Sequence, residues 1–192
     1  MARYTGPKRR LSRREGIALF AKDVKALERK GAVPPGQHGL GRRRRVSEYG
    51  LELREKQKAK RFYGILEKQF KLYFQKATKV KGATGLSLIR LLETRLDNVV
   101  YRLGFAKSRA QARQMVSHGH IMVDGKKVNI PSCQIKIEQT IALLPKLLDN
   151  TPTTLPGWLD RKATVGKVLR LPERDEMEQA IDEQLIVEYY SR

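Results

Sequence analysis

Arginine supplies most of the chemistry open to this chain, and it gathers where helices are expected. Arg109 and Arg113 stand four residues apart, so on a helix they share one face, and no carboxylate lies near them in sequence. A guanidinium is permanently charged and planar, and its fork of donors bonds two phosphate oxygens or stacks on an exposed base. Arg95, Arg102, Lys107, Ser108, Gln111, His118, His120 and Lys126 complete a candidate anion-binding set around them. Ser108 has a competing use as a helix cap, and Arg95 has Glu93 and Asp97 close by as pairing partners. Covalent chemistry finds no comparable support, since neither Cys133 nor any serine is grouped with histidine in a recognisable motif. His118 and His120 flank Gly119 without the further ligands a metal needs, so no metal and no cofactor is expected. The glycines of PPGQHG at 34 to 39 are no nucleotide loop, because lysine and hydroxyl do not follow at the required spacing.

The elements that must position these groups emerge from periodicity. In LIRLLETRLDNVVYRLGF the residues Leu88, Leu92, Leu96, Val99, Val100 and Leu103 recur at three and four, which predicts one buried helical face ending at Gly104. A second helix starts at Ser108, with Gln111 placed to reach back in a capping box, and ends at Gly119. Ala112, Met115 and Val116 turn inward there, while Arg109 and Arg113 turn out. Ile121 and Val123 then alternate with polar residues before Asp124-Gly125, the pair that suits a primed hairpin turn. Ile135 to Ile137, Ile141 to Leu143 and Thr164 to Leu171 read as further strands, with a surface loop over 148 to 157 and Trp158-Leu159 anchoring the chain behind it.

Charge divides the chain. With 192 residues and a net charge of +20, it carries 30 basic and 9 acidic groups in residues 1–120, against 10 and 11 in residues 121–192. Such clustering points to a polyanionic partner met mainly by the first part. A membrane fits poorly: there is no long apolar span, no apolar signal region and no lipidation cysteine at either end, so a soluble intracellular protein is expected. One cysteine permits no internal disulfide and suits a reducing compartment.

Residues 1–46 hold few large apolar groups and read as a basic arm that orders on its partner, although 13 to 30 could form a helix with Ile17, Phe20, Val24 and Leu27 on one side. Arg3, Lys8, Arg9, Arg10, Arg13, Arg14, Arg42, Arg43, Arg44 and Arg45 are its candidate phosphate contacts, and His38 is a further candidate. Ser47 can cap the next helical stretch, and Leu51, Phe62, Leu66, Phe70 and Tyr73 give an apolar side to two helices broken near 58 to 61 or at Gly64. Tyr49, Arg54, Lys58 and Arg61 are candidate contacts there, the last three on a common face. The acidic tail has its own stripe, Ile181, Leu185, Ile186 and Tyr189, which must dock somewhere.

The stretch ETRLDNVVYRLGFAKSRAQARQMVSHGHIMVDGKKVNIPS resembles the RNA-binding module of small-subunit ribosomal protein four, a module that also occurs in pseudouridine synthases and tyrosyl-tRNA synthetases. MARYTGPKRRLSRREG, PPGQHG, SEYGLELREKQKAKRFYGILEKQF, VLRLPERDE and EQLIVEYYSR resemble the bacterial or organellar ribosomal family in the same order. Some members hold zinc through four cysteines in the arm; this chain has Arg9 and Ser12 where the first of them stand, so the resemblance implies a metal-free arm. Glu138-Gln139 replaces a common Gly-Asp turn.

The resemblance implies an α+β fold: a basic arm (1–46), a helical domain split between 47–86 and 173–192, and an inserted module (87–172) of two helices on a mostly antiparallel sheet. It implies a non-enzymatic constituent of the small subunit that binds small-subunit rRNA at a multi-helix junction of the five-prime domain and nucleates assembly. Contact with ribosomal protein five and other small-subunit proteins, an influence on translational accuracy, and binding to its own messenger RNA as in some relatives belong to the same expectation. So does a cytoplasmic ribosome, or one in an organellar matrix or stroma. Two rival readings are an RNA-modifying enzyme, which would need a separate catalytic domain, and a helix-turn-helix DNA regulator, which would leave arm and hairpin unexplained.

Overall fold

The computed structural model describes residues 4–39, 41, 45–144 and 155–191, and Arg3, Arg42, Arg43, Arg44 and most of the loop expected over 148 to 157 lie outside them. The chain forms two compact units, one running to Phe74 and resuming at Ala180, the other Gln75–Gln179. Eight α-helices and five antiparallel strands among the described residues make the fold α+β. No described helix is long and apolar enough to cross a membrane.

In the first unit the arm is folded over residues 4 to 39. The single helix expected over 13 to 30 is instead two, α1 (Lys8–Glu15) and α2 (Val24–Lys30), because Gly16 takes φ 74° and its N–H bonds Ser12 O. A buried hydrogen bond from the Ser12 hydroxyl to Asp23 and the buried Leu19 close the turn between them. Val24 is exposed, whereas Ile17, Phe20 and Leu27 are only half-buried. The next helix, α3 (Glu48–Phe62), is capped by Ser47, whose Oγ accepts from Gly50 N, and it runs unbroken through 58 to 61. The chain turns at Tyr63-Gly64 before α4 (Glu67–Ala77).

Its buried side also differs from expectation. Leu51 and Leu66 are exposed, while Ala59, Tyr63, Ile65, Phe70 and Tyr73 are buried. The final helix, α8 (Glu183–Ser191), packs on α3. Tyr190 stacks on Phe74 with ring centroids 4.4 Å apart, and Lys56, itself buried, lies 4.3 Å from the Tyr189 ring centroid while bonding Glu67 at 2.7 Å.

The second unit contains α5 (Thr84–Glu93), α6 (Leu96–Arg102) and α7 (Arg109–Ser117). The one helix expected from Leu88 to Leu103 is therefore broken at Thr94-Arg95. Arg95 is extended there, with φ −67° and ψ 139°, and the segment pairs with 133 to 135: Leu96 N donates to Cys133 O, and Ile135 N to Thr94 O. That pairing uses up Ile135, so no strand forms over 135 to 137, and Ile137 is exposed. Gly104 has φ 72° at the end of α6, a conformation that a residue without Cβ adopts at little strain.

The sheet has the order β2-β1-β3-β5-β4, all antiparallel, with β1 Ile121–Val123, β2 Lys126–Lys127, β3 Thr140–Leu143, β4 Leu159–Lys162 and β5 Val165–Val168. Asp124 and Gly125, at φ 48° and 76°, form the expected primed turn between β1 and β2. The strand β4, which pairs along the whole of β5, was not anticipated, and the run expected over Thr164 to Leu171 is a strand only over Val165–Val168. Glu138 takes φ 68°, a left-handed conformation without glycine, and its N–H donates to Val168 O at 2.8 Å.

The core lies between the sheet and the apolar sides of α6 and α7: Leu96, Val99, Val100, Leu103, Phe105, Ala112, Val116, Ile121, Ile141, Leu143 and Trp158. Gly166 permits the close approach, since a Cβ there would stand 2.5 Å from a Leu103 methyl. Truncating a large member such as Phe105 or Trp158 should cost about 3–5 kcal/mol.

Candidate nucleic-acid interface

The cation cluster of the second unit is built on a run of polar residues that the fold buries. Glu93, Thr94, Arg95, Asp97 and Asn98 are each 5% exposed or less, although they sit between the apolar residues of α5 and α6. They are tolerated because their groups are paired. Glu93 takes Arg102 in a two-point contact, Nη2 to Oε1 at 2.7 Å and Nε to Oε2 at 3.0 Å. Asp97 takes Arg95 in the same way, at 3.1 and 2.9 Å, and lies 3.6 Å from Nη1 of Arg113. Asn98 links the two helices by accepting from Nε of Arg109 at 2.8 Å. The Arg109 guanidinium also lies 4.5 Å from the Tyr101 ring centroid, a cation–π contact.

Four guanidiniums thus meet two carboxylates and one amide, which leaves the cluster positive and its side chains held. Two sequence expectations change here. Arg109 and Arg113 are half-buried and turned back toward α6 rather than simply outward, because the fold brings Asn98 and Asp97 to them. Arg95 is 2% exposed and belongs to the interior. The side chains of Arg102 and Arg113 keep 20% and 15% of their surface, so their edges remain within reach of a ligand.

Around this cluster the start of α7 is exposed at Lys107 and Ser108. Ser108 caps the helix, its Oγ accepting from Gln111 N at 3.2 Å. The expected reciprocal bond is displaced by one residue, for Gln111 Oε1 accepts from Lys107 N at 2.8 Å and so fixes the chain just before the cap. At the other end His118 is exposed and His120 half-buried, with ring centroids 5.8 Å apart. Lys126 is exposed on the hairpin. Asp124 secures that hairpin to β3, its carboxylate accepting from Thr140 N at 2.8 Å and Gln139 Nε2 at 2.7 Å. The bond from the Thr140 backbone, helped by Gln139, holds the Asp124 carboxyl below the usual range.

In the first unit, cations divide into structural and exposed groups. Arg13 is half-buried and pins the arm by donating to Val33 O at 2.8 Å and Pro34 O at 3.1 Å. Lys8 lies 5.5 Å from the Phe20 ring centroid, while Arg9, Arg10, Arg14, His38 and Arg45 are exposed. Of the three expected contacts on α3, Arg61 bonds Glu15, Arg54 lies 3.5 Å from the same carboxylate, and Lys58 bonds Glu55 and donates to Ala180 O at 3.2 Å. Burial pushes the Glu15 carboxyl above its usual range, against the pull of Arg61 and Arg54. Tyr49 stacks on Tyr189 with centroids 5.6 Å apart and remains 49% exposed. Among the described residues no group of three or more histidine, cysteine or carboxylate side chains is arranged to hold a metal ion.

Residue type alone did not single out Asn98 or Tyr101, and it offered Glu93 to Arg95 rather than to Arg102. The available signal was the placing of Asn98 between Leu96 and Val99, a polar residue inside an apolar stripe.

An α+β chain whose paired arginines form a stiff positive face on a small helix-and-sheet module is a nucleic-acid-binding protein in class. Comparison with known proteins defines the family. Residues 3–93 match the ribosomal protein S4/S9 N-terminal domain, and residues 94–141 match the S4 domain, an RNA-binding module. The chain is 55% identical to small ribosomal subunit protein uS4 of Dictyoglomus turgidum and 51% identical to uS4A of Symbiobacterium thermophilum, in each case over the full length of both chains. The uS4 of Chloroflexus aurantiacus is 51% identical over the same extent. The chain belongs to the ribosomal protein S4 family, whose members are structural ribosomal proteins and not enzymes.

Proposed function

We propose that this protein is a structural constituent of the small ribosomal subunit and binds small-subunit rRNA through the α6–α7 cluster and the basic arm. The observation that carries the reading is the guanidinium cluster of Arg102, Arg109 and Arg113, held by Glu93, Asn98 and Asp97 with positive charge in excess. Side chains already ordered lose less freedom on binding, so a phosphate or a stacked base meets a prepared surface. The proposed contacts are Arg102, Lys107, Ser108, Arg109, Gln111, Arg113, His118, His120 and Lys126, with Arg95 acting from the interior. In the other unit they are Lys8, Arg9, Arg10, Arg14, His38 and Arg45, joined by Tyr49, with Arg3, Arg42, Arg43 and Arg44 from the flanking sequence. Arg13, Arg54, Lys58 and Arg61 join the interface on exchanging their internal partners for phosphate.

The finer role comes from the family resemblance: nucleating the five-prime domain of small-subunit rRNA, and touching ribosomal protein five so as to influence accuracy. Binding to its own messenger and a cytoplasmic ribosome complete that reading. The division into arm 1–46, split helical domain 47–86 with 173–192, and module 87–172 belongs to it too, supported in outline by the return of α8 to α3.

Competition binding at moderate salt among a transcribed five-prime domain of small-subunit rRNA, tRNA and duplex DNA tests the proposal. The rRNA fragment should win clearly. Equal affinities for the three would overturn it, and preference for the duplex would favour the DNA-regulator reading.

A further inference from the structure

Asn98 is 3% exposed, yet it stands between the fully buried Glu93 carboxylate and the half-buried Arg109. Its Nδ2 donates to the Glu93 carbonyl at 3.0 Å and to Glu93 Oε2 at 2.6 Å. An amide with its donors committed in this way cannot flip without losing both bonds, so Oδ1 must face the other way. There it accepts from Nε of Arg109 at 2.8 Å. Nε is the one guanidinium nitrogen fixed close to the aliphatic stem, and holding it sets the plane of the whole group over Tyr101. Glu93 is itself held by Arg102, so one buried carboxylate orients two surface arginines, Arg102 directly and Arg109 through the amide.

We propose that Asn98 is a positioning residue for RNA binding, acting through Arg109 and oriented by Glu93. The inference rests on the reading that Arg109 contacts RNA. Asn98 is too buried to touch RNA itself, and it changes neither the charge nor the number of cations at the surface. Its loss therefore leaves Arg109 present but without the acceptor that fixes its Nε, and part of its contact with phosphate or base is lost on average.

The experiment is a double-mutant cycle on the full chain, with Asn98→Ala, Arg109→Ala and the double variant binding the five-prime-domain rRNA fragment over a range of salt. A urea-unfolding midpoint is measured for each. Asn98→Ala should weaken binding about tenfold with little change in salt slope, Arg109→Ala should lower the slope by about one, and the double variant should bind no worse than Arg109→Ala. If Arg109→Ala binds like the parent, the underlying assignment of Arg109 fails. If Arg109→Ala weakens binding but Asn98→Ala does not, or the two losses add in full, Arg109 stands and the positioning role of Asn98 is overturned. Should Asn98→Ala fail to fold, Asn98→Ser serves in the same cycle, since its hydroxyl can donate on the Glu93 side in place of the amide while the shorter side chain cannot span from Glu93 to Arg109.

Discussion

Arg95 and Asp97, separated by one residue, close a two-point ion pair whose N···O distances are 3.1 and 2.9 Å, and both are at least nine-tenths buried. The pair sits in the break between α5 and α6, where backbone bonds to residues 131 to 135 prevent a continuous helix. The same Asp97 carboxylate faces Arg113 of α7 at 3.6 Å, so one acidic group ties the helix break to the proposed RNA-binding face.

Removing that carboxylate should be severe. Asp97→Ala leaves Arg95 buried without its counter-charge, and breaking a buried pair in this way typically costs about 3–5 kcal/mol. A urea-unfolding midpoint close to that of the parent would show that Arg95 finds another partner or escapes to water.

Charge reversal at Arg109 and Arg113 does not isolate binding from folding, because both side chains have internal partners. Arg113→Glu sets a carboxylate beside Asp97, and Arg109→Glu places one against Asn98, near Glu93. Both stability and RNA affinity should fall. The exposed Lys107 and Lys126 give the cleaner test: Lys107→Glu with Lys126→Glu should keep the unfolding midpoint and reduce the salt slope of rRNA binding by about two. An unchanged slope would remove both lysines from the interface.

The link between hairpin and β3 should depend on pH through Asp124. Its folded carboxyl titrates below the unfolded one, so its contribution is complete above the unfolded value near 3.9 and is lost as pH falls through the folded value. Asp124→Asn should therefore be less stable than the parent at pH 6, and the gap should narrow at the acid end. Urea midpoints at pH 6 and pH 3 give the comparison, and a gap that holds constant with pH would contradict the assignment.

The arm should be held to α3 by Glu15. Its carboxylate is almost fully buried between Arg61 and Arg54. Glu15→Ala leaves those cations facing each other and should speed tryptic cleavage at Arg9 to Arg14 several-fold, a rate read directly from digestion gels. Cleavage at the parent's rate would mean that the Ser12–Asp23 bond and the Arg13 contacts hold the arm by themselves.

Much of the second unit was legible in the chain. A polar cap at Ser108, apolar residues at Ala112, Met115 and Val116, and Asp-Gly between alternating runs are local signals, and the structure contains α7 and the hairpin they predict. One error was local, at Gly16, which ends the helix expected over 13 to 30, and another fell where a distant segment intervenes. Periodicity ran straight through Thr94-Arg95, but hydrogen bonds from 133 to 135 break the helix there. Leu51 and Leu66 looked like core, yet both are exposed, and Ala59, Tyr63 and Ile65 are buried instead.

The cation set divides along the same line. The chain by itself determined that positive charge is concentrated before residue 121 and that arginine carries it, because charge and residue type are local properties. Only the tertiary structure decided which arginines face inward. Arg95 went to the interior because Asp97 and the segment at 131 to 135 enclose it. Arg61 went to Glu15, forty-six residues away in sequence. Arg109 and Arg113 acquired Asn98 and Asp97 through the packing of α7 on α6. Ion pairing depends on distance in space, so spacing along the chain offered the neighbour Asp97 to Arg95 but not Glu15 to Arg61 or Asp97 to Arg113.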